Sequence, residues 1–399
     1  MKRIRNSLPL LFVFALMLTC CVGCGAEKAP ASNDVTLTPV YDYVFDAGTY
    51  TALDYDFADA YFAEEYDNYA GGCTAVAKVN NAGDTIIGRN MDLNISNKAA
   101  YIMRTDVEGC YKTLGLAYTF RDISPDYAEV KENGLPDTFA KVLPFMADDV
   151  LNEKGLYIEI NMRFGEFWPT GDSKFSCPGT NPDSETRVYM FQLPRYIGEH
   201  CATVEEAVEY VKTLNVYSKD GYWNYCFLIA DATGHYGVLE FGANQMVWLD
   251  GQQAQANFYL SEELAEIQEL KCGVGRYDKV MAGIDAVQTR EDMFALMDSV
   301  SYFQFYDPEN CQFDYRSENV GAIPFATYAI LMEEESRPLI DEALLEIHDY
   351  VSTLSRQELQ NANEYWESAF TEVVNCNERS LFVRFFEDDA KTLTLTFDE

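Results

Sequence analysis

The chain has 399 residues and a formal net charge of −36 at pH 7. This acidity excludes nucleic acid as a partner, because binding to phosphates requires clusters of lysine and arginine. It also disfavours electrostatic attachment to anionic lipid. Hydrophobic residues make up 48% of the chain and aromatic residues 14%, so the sequence predicts a folded protein with a large core.

Residues 1–24 have the pattern of an export signal. A basic start is followed by an apolar run from Leu8 to Leu18, which is too short to span a membrane comfortably. The sequence Cys-Val-Gly-Cys at 21–24 resembles the end of a bacterial lipoprotein signal, with Cys24 as the lipidated residue. We therefore expect an exported protein, either a cell-surface lipoprotein or a secreted protein. Membrane contact is expected only through the lipid on Cys24.

Residues 25–72 are interpreted as a prosegment. A linker-like start is followed by a stretch rich in Tyr, Phe, Asp and Glu from Tyr41 to Tyr69. So many aromatic residues are unusual for a disordered spacer, and we expect this stretch to pack against the domain that follows, with disorder as the alternative. If the chain is cut after residue 72, a lipid on Cys24 anchors the prosegment alone. The body, 73–399, would then stay at the membrane only through non-covalent packing.

The stretch 71–92 predicts a β-hairpin that carries a nucleophile. Two β-prone runs flank a turn, Asn-Asn-Ala-Gly-Asp, at 80–84. Cys73 opens the first strand, and the second strand ends on Arg89 and Asp92. The hairpin therefore brings a thiol, a guanidinium and a carboxylate to the same end.

The sequence offers no obvious histidine base for this thiol. A free cysteine has a pKa of about 8.5 and needs a base to become a good nucleophile. His200, His235 and His348 lie at a helix end, in a turn and in an acidic helical stretch, and are interpreted as surface or structural residues. A free α-amine has a pKa of about 7.7–8.0, so a cysteine that begins a chain carries its own base. This arrangement requires cleavage between Gly72 and Cys73.

The same hairpin resembles the opening of the choloylglycine hydrolase family. The resemblance lies in the pair Cys73-Thr74 and in the run Gly-Arg-Asn-Met-Asp at 88–92, with sixteen positions from Cys73 to Arg89. These linear-amide C–N hydrolases belong to the N-terminal-nucleophile class and include bile salt hydrolases and penicillin V acylases. The resemblance implies an α+β fold with four αββα layers, a mature chain that begins at the cysteine, and a small-molecule N-acyl amide as substrate.

Three further positions join the site by this resemblance. The run Asn-Glu-Lys-Gly-Leu at 152–156 precedes a strand on which the family places an oxyanion-hole residue; Asn161 is the nearest match, with Met162 or Arg163 as alternatives in register. Asn257 matches a family asparagine, and Arg276 matches a family arginine that opens a helix.

The roles implied for these residues form one mechanism. The Cys73 thiol attacks the amide carbonyl, its own α-amine relays the proton, and Asp92 stabilises the resulting ammonium. The two asparagines donate hydrogen bonds to the oxyanion, Arg89 stabilises the thiolate, and Arg276 completes the polar network. The alternative is that each residue has only a structural role. Arg89 and Asp92 would form a surface ion pair, the two asparagines would cap turns, and Arg276 would begin a helix.

The remainder of the body is predicted as strands in hairpins with helices between them, which indicates two antiparallel sheets flanked by helices. The predicted strands are 155–162, 225–230, 236–241, 246–249, 258–260, 327–332, 368–374, 380–386 and 392–397. The predicted helices are 184–200, 203–214, 277–286, 289–300 and an acidic helical insertion at about 339–366.

Seven further cysteines lie in the body and cannot all pair with one another. Neither a CxxC pair nor a histidine-rich cluster occurs, so no zinc site is expected, and no cofactor is predicted. Cys226 and Cys376 lie in apolar strand contexts and are interpreted as buried free thiols.

Three classes of function remain open on the sequence alone. The first is an exported amidohydrolase that passes through a thioester acyl-enzyme. The second is an acyltransferase that uses the same acyl-enzyme, and the third is a non-catalytic surface lipoprotein that binds a small ligand. Homo-oligomer formation also stays open.

Overall fold

A computed structural model of the chain describes residues 37–41, 43–64, 72–94, 99–118, 125–164, 177–218, 223–268, 273–301, 366–385 and 391–397. The export signal with Cys24, the predicted strand at 327–332 and the helical insertion up to residue 365 lie outside the described residues. No helix within the described ranges is both long and apolar enough to cross a membrane.

The described strands form two large sheets and one short parallel pair. In chain order they are β1 (Thr38–Pro39), β2 (Val44–Tyr50), β3 (Gly72–Val79), β4 (Thr85–Asn94), β5 (Ala100–Thr105), β6 (Thr113–Tyr118), β7 (Asp149–Asn152), β8 (Tyr157–Phe164), β9 (Arg187–Tyr189), β10 (Asn215–Tyr217), β11 (Trp223–Ala230), β12 (Tyr236–Gly242), β13 (Gln245–Asp250), β14 (Ala254–Gln255), β15 (Trp366–Asn375), β16 (Ser380–Phe385) and β17 (Leu393–Leu395). The first sheet has the order β1-β2-β5-β6-β7-β8-β11-β12-β13, and the second has the order β14-β3-β4-β15-β16-β17.

Helices cover the outer face of each large sheet. They are α1 (Tyr55–Glu64), α2 (Tyr127–Asn133), α3 (Asp137–Val142), α4 (Leu193–His200), α5 (Val204–Thr213), α6 (Glu262–Ala265), α7 (Val274–Gly283) and α8 (Arg290–Asp298). Side chains of α1 to α5 share a core with the first sheet, and side chains of α7 and α8 share a core with the second.

A third apolar core joins the two sheets directly. Ala75 and Phe370 of the second sheet belong to the same buried cluster as Ile102 and Leu228 of the first. The sheets therefore lie face to face, with helices outside both. The predicted αββα four-layer fold is confirmed.

The predicted hairpin is confirmed as β3 and β4. Cys73 lies opposite Met91, and the pairing continues without a break to Val79 and Thr85. The turn is held by Asn80, whose Oδ1 accepts hydrogen bonds from the backbone nitrogens of Ala82 and Asp84 at 2.9 Å each. This is the local side-chain-to-backbone bonding that makes asparagine a turn residue.

One predicted helix is wrong in its bounds, and one predicted strand is absent. The helix predicted over 184–200 begins only at Leu193, after β9 and a short 3-10 turn, with Pro194 in its first turn. Proline fits the first turn of a helix but not its interior, so α4 cannot extend back to residue 184.

No strand forms over 258–260. The backbone nitrogens of Leu260 and Ser261 donate to the carboxylate of Glu240, at 2.8 and 3.0 Å, in place of a neighbouring strand. The strand in this region is β14, which pairs with β3.

Candidate active site

Cys73 lies at the start of β3 and is buried, with 2% of its surface exposed. Its Sγ is 3.6 Å from Met91 Sδ and 3.9 Å from Arg89 Nη2. The hairpin register explains these contacts, because Met91 is directly opposite Cys73 on β4. The thiol and the guanidinium are therefore adjacent, as the sequence predicts.

The backbone of Cys73 is held by the two residues that the sequence places farther along the chain. The Cys73 nitrogen donates to Asn257 Oδ1 at 3.1 Å, and the Cys73 carbonyl accepts from Arg276 Nη1 at 3.0 Å. Arg276 Nη2 also donates to Asn257 Oδ1, at 2.7 Å. Asn257 and Arg276 therefore fix the position of the Cys73 backbone, including its nitrogen.

Arg276 also connects this group to Asp92. Its Nη1 donates to Asp92 Oδ2 at 2.9 Å and to Thr74 Oγ1 at 2.7 Å. The hydroxyl of Ser368 donates to the other Asp92 oxygen. Burial raises the pKa of Asp92, although Arg276 and Ser368 both stabilise its charged form.

Gly273 lets Arg276 turn back onto the hairpin. This glycine precedes α7 with φ at +84°, a conformation that other residues rarely adopt. A Cβ on Gly273 would lie 2.8 Å from Ala256 Cβ and 2.9 Å from Arg276 Nη2. Both the conformation and the space therefore require glycine at this position.

Arg89 is the cation at the centre of a buried acidic cluster. Its Nη1 donates to Asp149 Oδ2 at 2.5 Å and its Nε to Glu159 Oε2 at 2.9 Å. Asp148 and Glu372 are buried near the same guanidinium. We call these four residues the carboxyl cluster: Asp148, Asp149, Glu159 and Glu372.

The members of the carboxyl cluster cannot all be ionised. Four buried carboxylates beside one guanidinium would leave a large uncompensated charge between the sheets. Burial raises the pKa of Asp148 to about 7 and that of Glu372 to about 7, despite the attraction of Arg89. The hydroxyl of Tyr157 contacts both Glu372 and Asp149. A proton is therefore retained within the cluster near neutral pH.

The thiol of Cys73 is not acidic in this environment. Burial raises its pKa to about 12; Arg89 lowers it, whereas Asp92 and Glu159 raise it further. The two described histidines have partners elsewhere: His200 bonds to Tyr196 O, and His235 to Asp250. His348 lies outside the described residues. The thiol therefore needs a base other than these two histidines.

Asn161 lies on the face of β8 that points between the sheets. Ile160 and Met162 belong to the core against the helices, so the alternating side chains of Glu159, Asn161 and Arg163 face the second sheet. With its amide oriented to satisfy its neighbours, Asn161 Nδ2 donates to Glu159 Oε2 at 2.9 Å. Met162 is thereby excluded as the inward-facing residue of this strand.

Arg163 shares that face but is engaged with the loop that carries Asn257. Its guanidinium donates to the carbonyl of Ala256, and Asn257 Nδ2 donates to the carbonyl of Met162 at 2.9 Å. β8 and the loop that carries Asn257 are thus joined by two hydrogen bonds, in each of which a side chain of one segment donates to a backbone oxygen of the other. Of the other five predicted site residues, Arg89, Asn257 and Arg276 contact Cys73 directly. Asp92 is connected to Cys73 through Arg276, and Asn161 through Glu159 and Arg89.

Sequence reasoning missed the carboxyl cluster and Ser368. One signal was available for Glu159, since polar residues alternate with apolar ones from 157 to 163 and so share a face. No comparable signal marks Glu372, because polar and apolar residues do not alternate along its strand, Trp366–Asn375. Within the described residues, no group of three or more His, Cys, Asp or Glu side chains is placed to hold a metal ion.

Comparison with known proteins identifies a family over part of the chain. Residues 73–254 match the family model of linear amide C–N hydrolases, choloylglycine hydrolase family. The match begins at Cys73 and ends before Asn257 and Arg276. Comparison with curated proteins gave no match.

Two solved structures are similar to parts of this chain. A mutant of conjugated bile acid hydrolase from Clostridium perfringens is 13% identical, with a TM-score of 0.44, over 82% of this chain and 92% of that one. Penicillin V acylase from Agrobacterium tumefaciens is 12% identical, with a TM-score of 0.47, over 82% of this chain and 87% of that one.

Proposed function

We propose that Cys73, freed by cleavage after Gly72, is the nucleophile of this chain, which over residues 73–254 matches the linear amide C–N hydrolases of the choloylglycine hydrolase family. The contact that carries this proposal is the hydrogen bond from the Cys73 nitrogen to Asn257 Oδ1. That nitrogen is a peptide amide in the uncut chain and becomes a basic amine once the Gly72–Cys73 bond is hydrolysed. The residues around it already orient it.

The proposed reaction passes through a thioester. The α-amine accepts the thiol proton, and the sulfur attacks the carbonyl carbon of the substrate amide. When the C–N bond breaks, the ammonium returns the proton to the leaving amine. A water molecule, deprotonated by the same amine, then attacks the thioester and releases the acid together with the cysteine.

The α-amine is the base that the surroundings favour. A thiol whose pKa is raised to about 12 is almost entirely protonated at neutral pH, so a proton acceptor must act during the attack. Asp92 is held by Arg276 and Ser368 close to the cysteine backbone. In the proposal its negative charge stabilises the ammonium that forms.

The two asparagines are proposed to donate hydrogen bonds to the oxyanion. Asn257 lies beside the cysteine backbone, and Asn161 faces the same inter-sheet region from β8. One such donor typically contributes about 10²–10³ to the rate. Arg89, whose Nη2 is 3.9 Å from Sγ, is proposed to stabilise the thiolate. Arg276 is proposed to hold Asp92, Asn257 and the Cys73 backbone in position.

The proposed substrate class is a small N-acyl amide. Bile salts and penicillins are anions, and the net charge of −36 opposes their approach over long distances. Turnover should therefore be compared across penicillin V, glycine- and taurine-conjugated bile salts and N-acyl amino acids. Mass spectrometry of the released acid and amine measures it, and an added amine nucleophile that diverts the acyl group would reveal acyl transfer.

Cys73→Ser tests the nucleophile. We expect loss of turnover at least about a thousandfold and retention of the fold by circular dichroism. Cys110→Ser removes a half-buried thiol elsewhere and should leave turnover unchanged. Equal turnover in Cys73→Ser and the wild type would contradict the proposal, as would an intact Gly72–Cys73 bond in an active protein.

We further propose that the protein is exported and anchored by a lipid on Cys24. This rests on the signal pattern of residues 1–24 alone. Incorporation of labelled fatty acid in cells, and its loss in Cys24→Ala, would support the anchor. Release of unlabelled wild-type protein into the medium would favour secretion instead.

A further inference from the structure

The segment before Cys73 supplies the two strands at one edge of the first sheet, β1 and β2. β2 lies between β1 and β5 and pairs with β5 in parallel, from Val44 opposite Ala100 to Tyr50 opposite Thr105. Backbone bonds extend the pairing at both ends, with Ala100 N donating to Tyr43 O at 2.8 Å. If this segment left, the backbone of β5 would become an unpaired sheet edge.

Side chains of the same segment complete the core of the first sheet. Phe45, Tyr50 and Phe62 are almost fully buried. They belong to the same apolar cluster as side chains from the helices of the body. Phe62 stacks on Tyr189 with ring centroids 6.1 Å apart. Removal of the segment would therefore expose one side of the core to water.

Polar contacts also hold helix α1 against helix α4 and the turn that precedes α4. Asp59 accepts hydrogen bonds from Tyr196 at 2.9 Å and from Gln192 at 3.0 Å. The hydroxyl of Tyr55 bonds to the buried carboxylate of Glu199. These body side chains are buried, and each would lose a partner if α1 departed.

A further ion pair joins the strand to its neighbour. Arg104 of β5 donates to both oxygens of Asp46, at 3.1 and 2.9 Å. All described residues belong to one compact unit that begins at Val35, well before the cleavage point. Hydrolysis of a single peptide bond after residue 72 removes none of these contacts.

We propose that residues 37–64 stay bound after cleavage, so that the mature enzyme is a non-covalent complex of two chains. The upstream chain then acts as a structural subunit and not as a discarded prosegment. This inference rests on the cleavage at Gly72–Cys73 in the proposed function. It also means that an anchor on the upstream chain retains the catalytic chain at the membrane.

The test uses the full-length wild-type protein, purified through a C-terminal tag. Mass spectrometry under denaturing conditions reports whether the chain is cut, and native mass spectrometry of the same sample reports whether the pieces remain together. We expect two masses under denaturing conditions and one, equal to their sum, under native conditions. The catalytic chain alone under native conditions overturns the inference but leaves the cleavage intact. A single uncut mass in both overturns the cleavage and the two-chain enzyme together.

Variants on α1 test the contacts that hold the upstream chain. Phe62→Ala removes a buried ring and should weaken retention by about a hundredfold or more on dilution. Asp56→Asn alters an exposed side chain on the same helix and should not change retention. Equal retention in both variants contradicts the inference.

A urea titration of the cut wild type decides the question if Phe62→Ala does not fold. Release of the upstream chain should coincide with loss of the tertiary fluorescence signal and of turnover. Release at urea concentrations where fluorescence and turnover are unchanged would show that the segment is dispensable, and would overturn the inference.

Discussion

Glu372→Gln is the sharpest test of the carboxyl cluster. Glu372 lies on β15 directly opposite Arg89, accepts a hydrogen bond from Tyr157, and has a pKa raised to about 7, mainly by burial. Glutamine has nearly the same shape but cannot take a charge. The substitution therefore removes one titration while leaving the packing largely unchanged.

The pKa shift fixes both the sign and the size of the expected effect. A carboxyl whose folded pKa is raised from 4.5 to about 7 binds its proton more tightly in the folded state. Its contribution to stability is fully present below pH 4.5 and is lost as the pH rises to about 7. At about 1.36 kcal/mol per pK unit, the loss across this window is about 3 kcal/mol. Because Glu372 shares Tyr157 with Asp149, the titration belongs to the pair.

Urea unfolding at a series of pH values from about 4.5 to 7.5 measures this contribution. The free energy of unfolding of Glu372→Gln should fall less steeply with pH than that of the wild type, by about 3 kcal/mol over the range. Glu378→Gln changes an exposed glutamate in the turn that follows the same strand and should keep the wild-type slope. A wild-type slope in Glu372→Gln would refute the reasoning that Glu372 retains its proton.

Three further variants address the residues that hold Cys73. Arg276→Lys keeps the charge but not the fork of donors, so turnover should fall at least about tenfold and the free energy of unfolding by about 2 kcal/mol. Gly273→Ala should lower turnover about tenfold or more, whereas Gly251→Ala, which also has a positive φ but no atom nearby, should leave turnover unchanged. Ser368→Ala removes a donor to Asp92, so the acidic limb of the pH–turnover profile should move to higher pH.

Local parts of the site were predictable from the sequence. The hairpin follows from a turn-forming cluster between two β-prone runs, and its register alone brings Arg89 beside Cys73. The positions of Asn257 and Arg276 could be predicted only through the family resemblance, since they lie 184 and 203 residues after Cys73. Their contacts with the cysteine backbone are consistent with that prediction. The lipoprotein signal stays a prediction.

The carboxyl cluster could not be predicted, because its members come from three strands. Asp149 begins β7 and Asp148 comes directly before it, whereas Glu159 lies on β8 and Glu372 on β15. Each strand pattern is explained by burial alone, and nothing in it indicates that the acidic residues share one space. Their meeting depends on the registers of two sheets and on how the sheets are stacked.

The cluster changes what Arg89 can contribute to catalysis. The guanidinium of Arg89 bonds to the carboxyls of Asp149 and Glu159 at 2.5 and 2.9 Å, whereas the Cys73 sulfur is 3.9 Å away. Arg89 lowers the pKa of the Cys73 thiol, but burial outweighs this effect and raises that pKa to about 12. In the proposed mechanism, activation then comes from the Cys73 nitrogen, whose basicity changes on cleavage. The proposed function therefore predicts that the uncut chain is folded but inactive, and that hydrolysis of one peptide bond supplies the missing base.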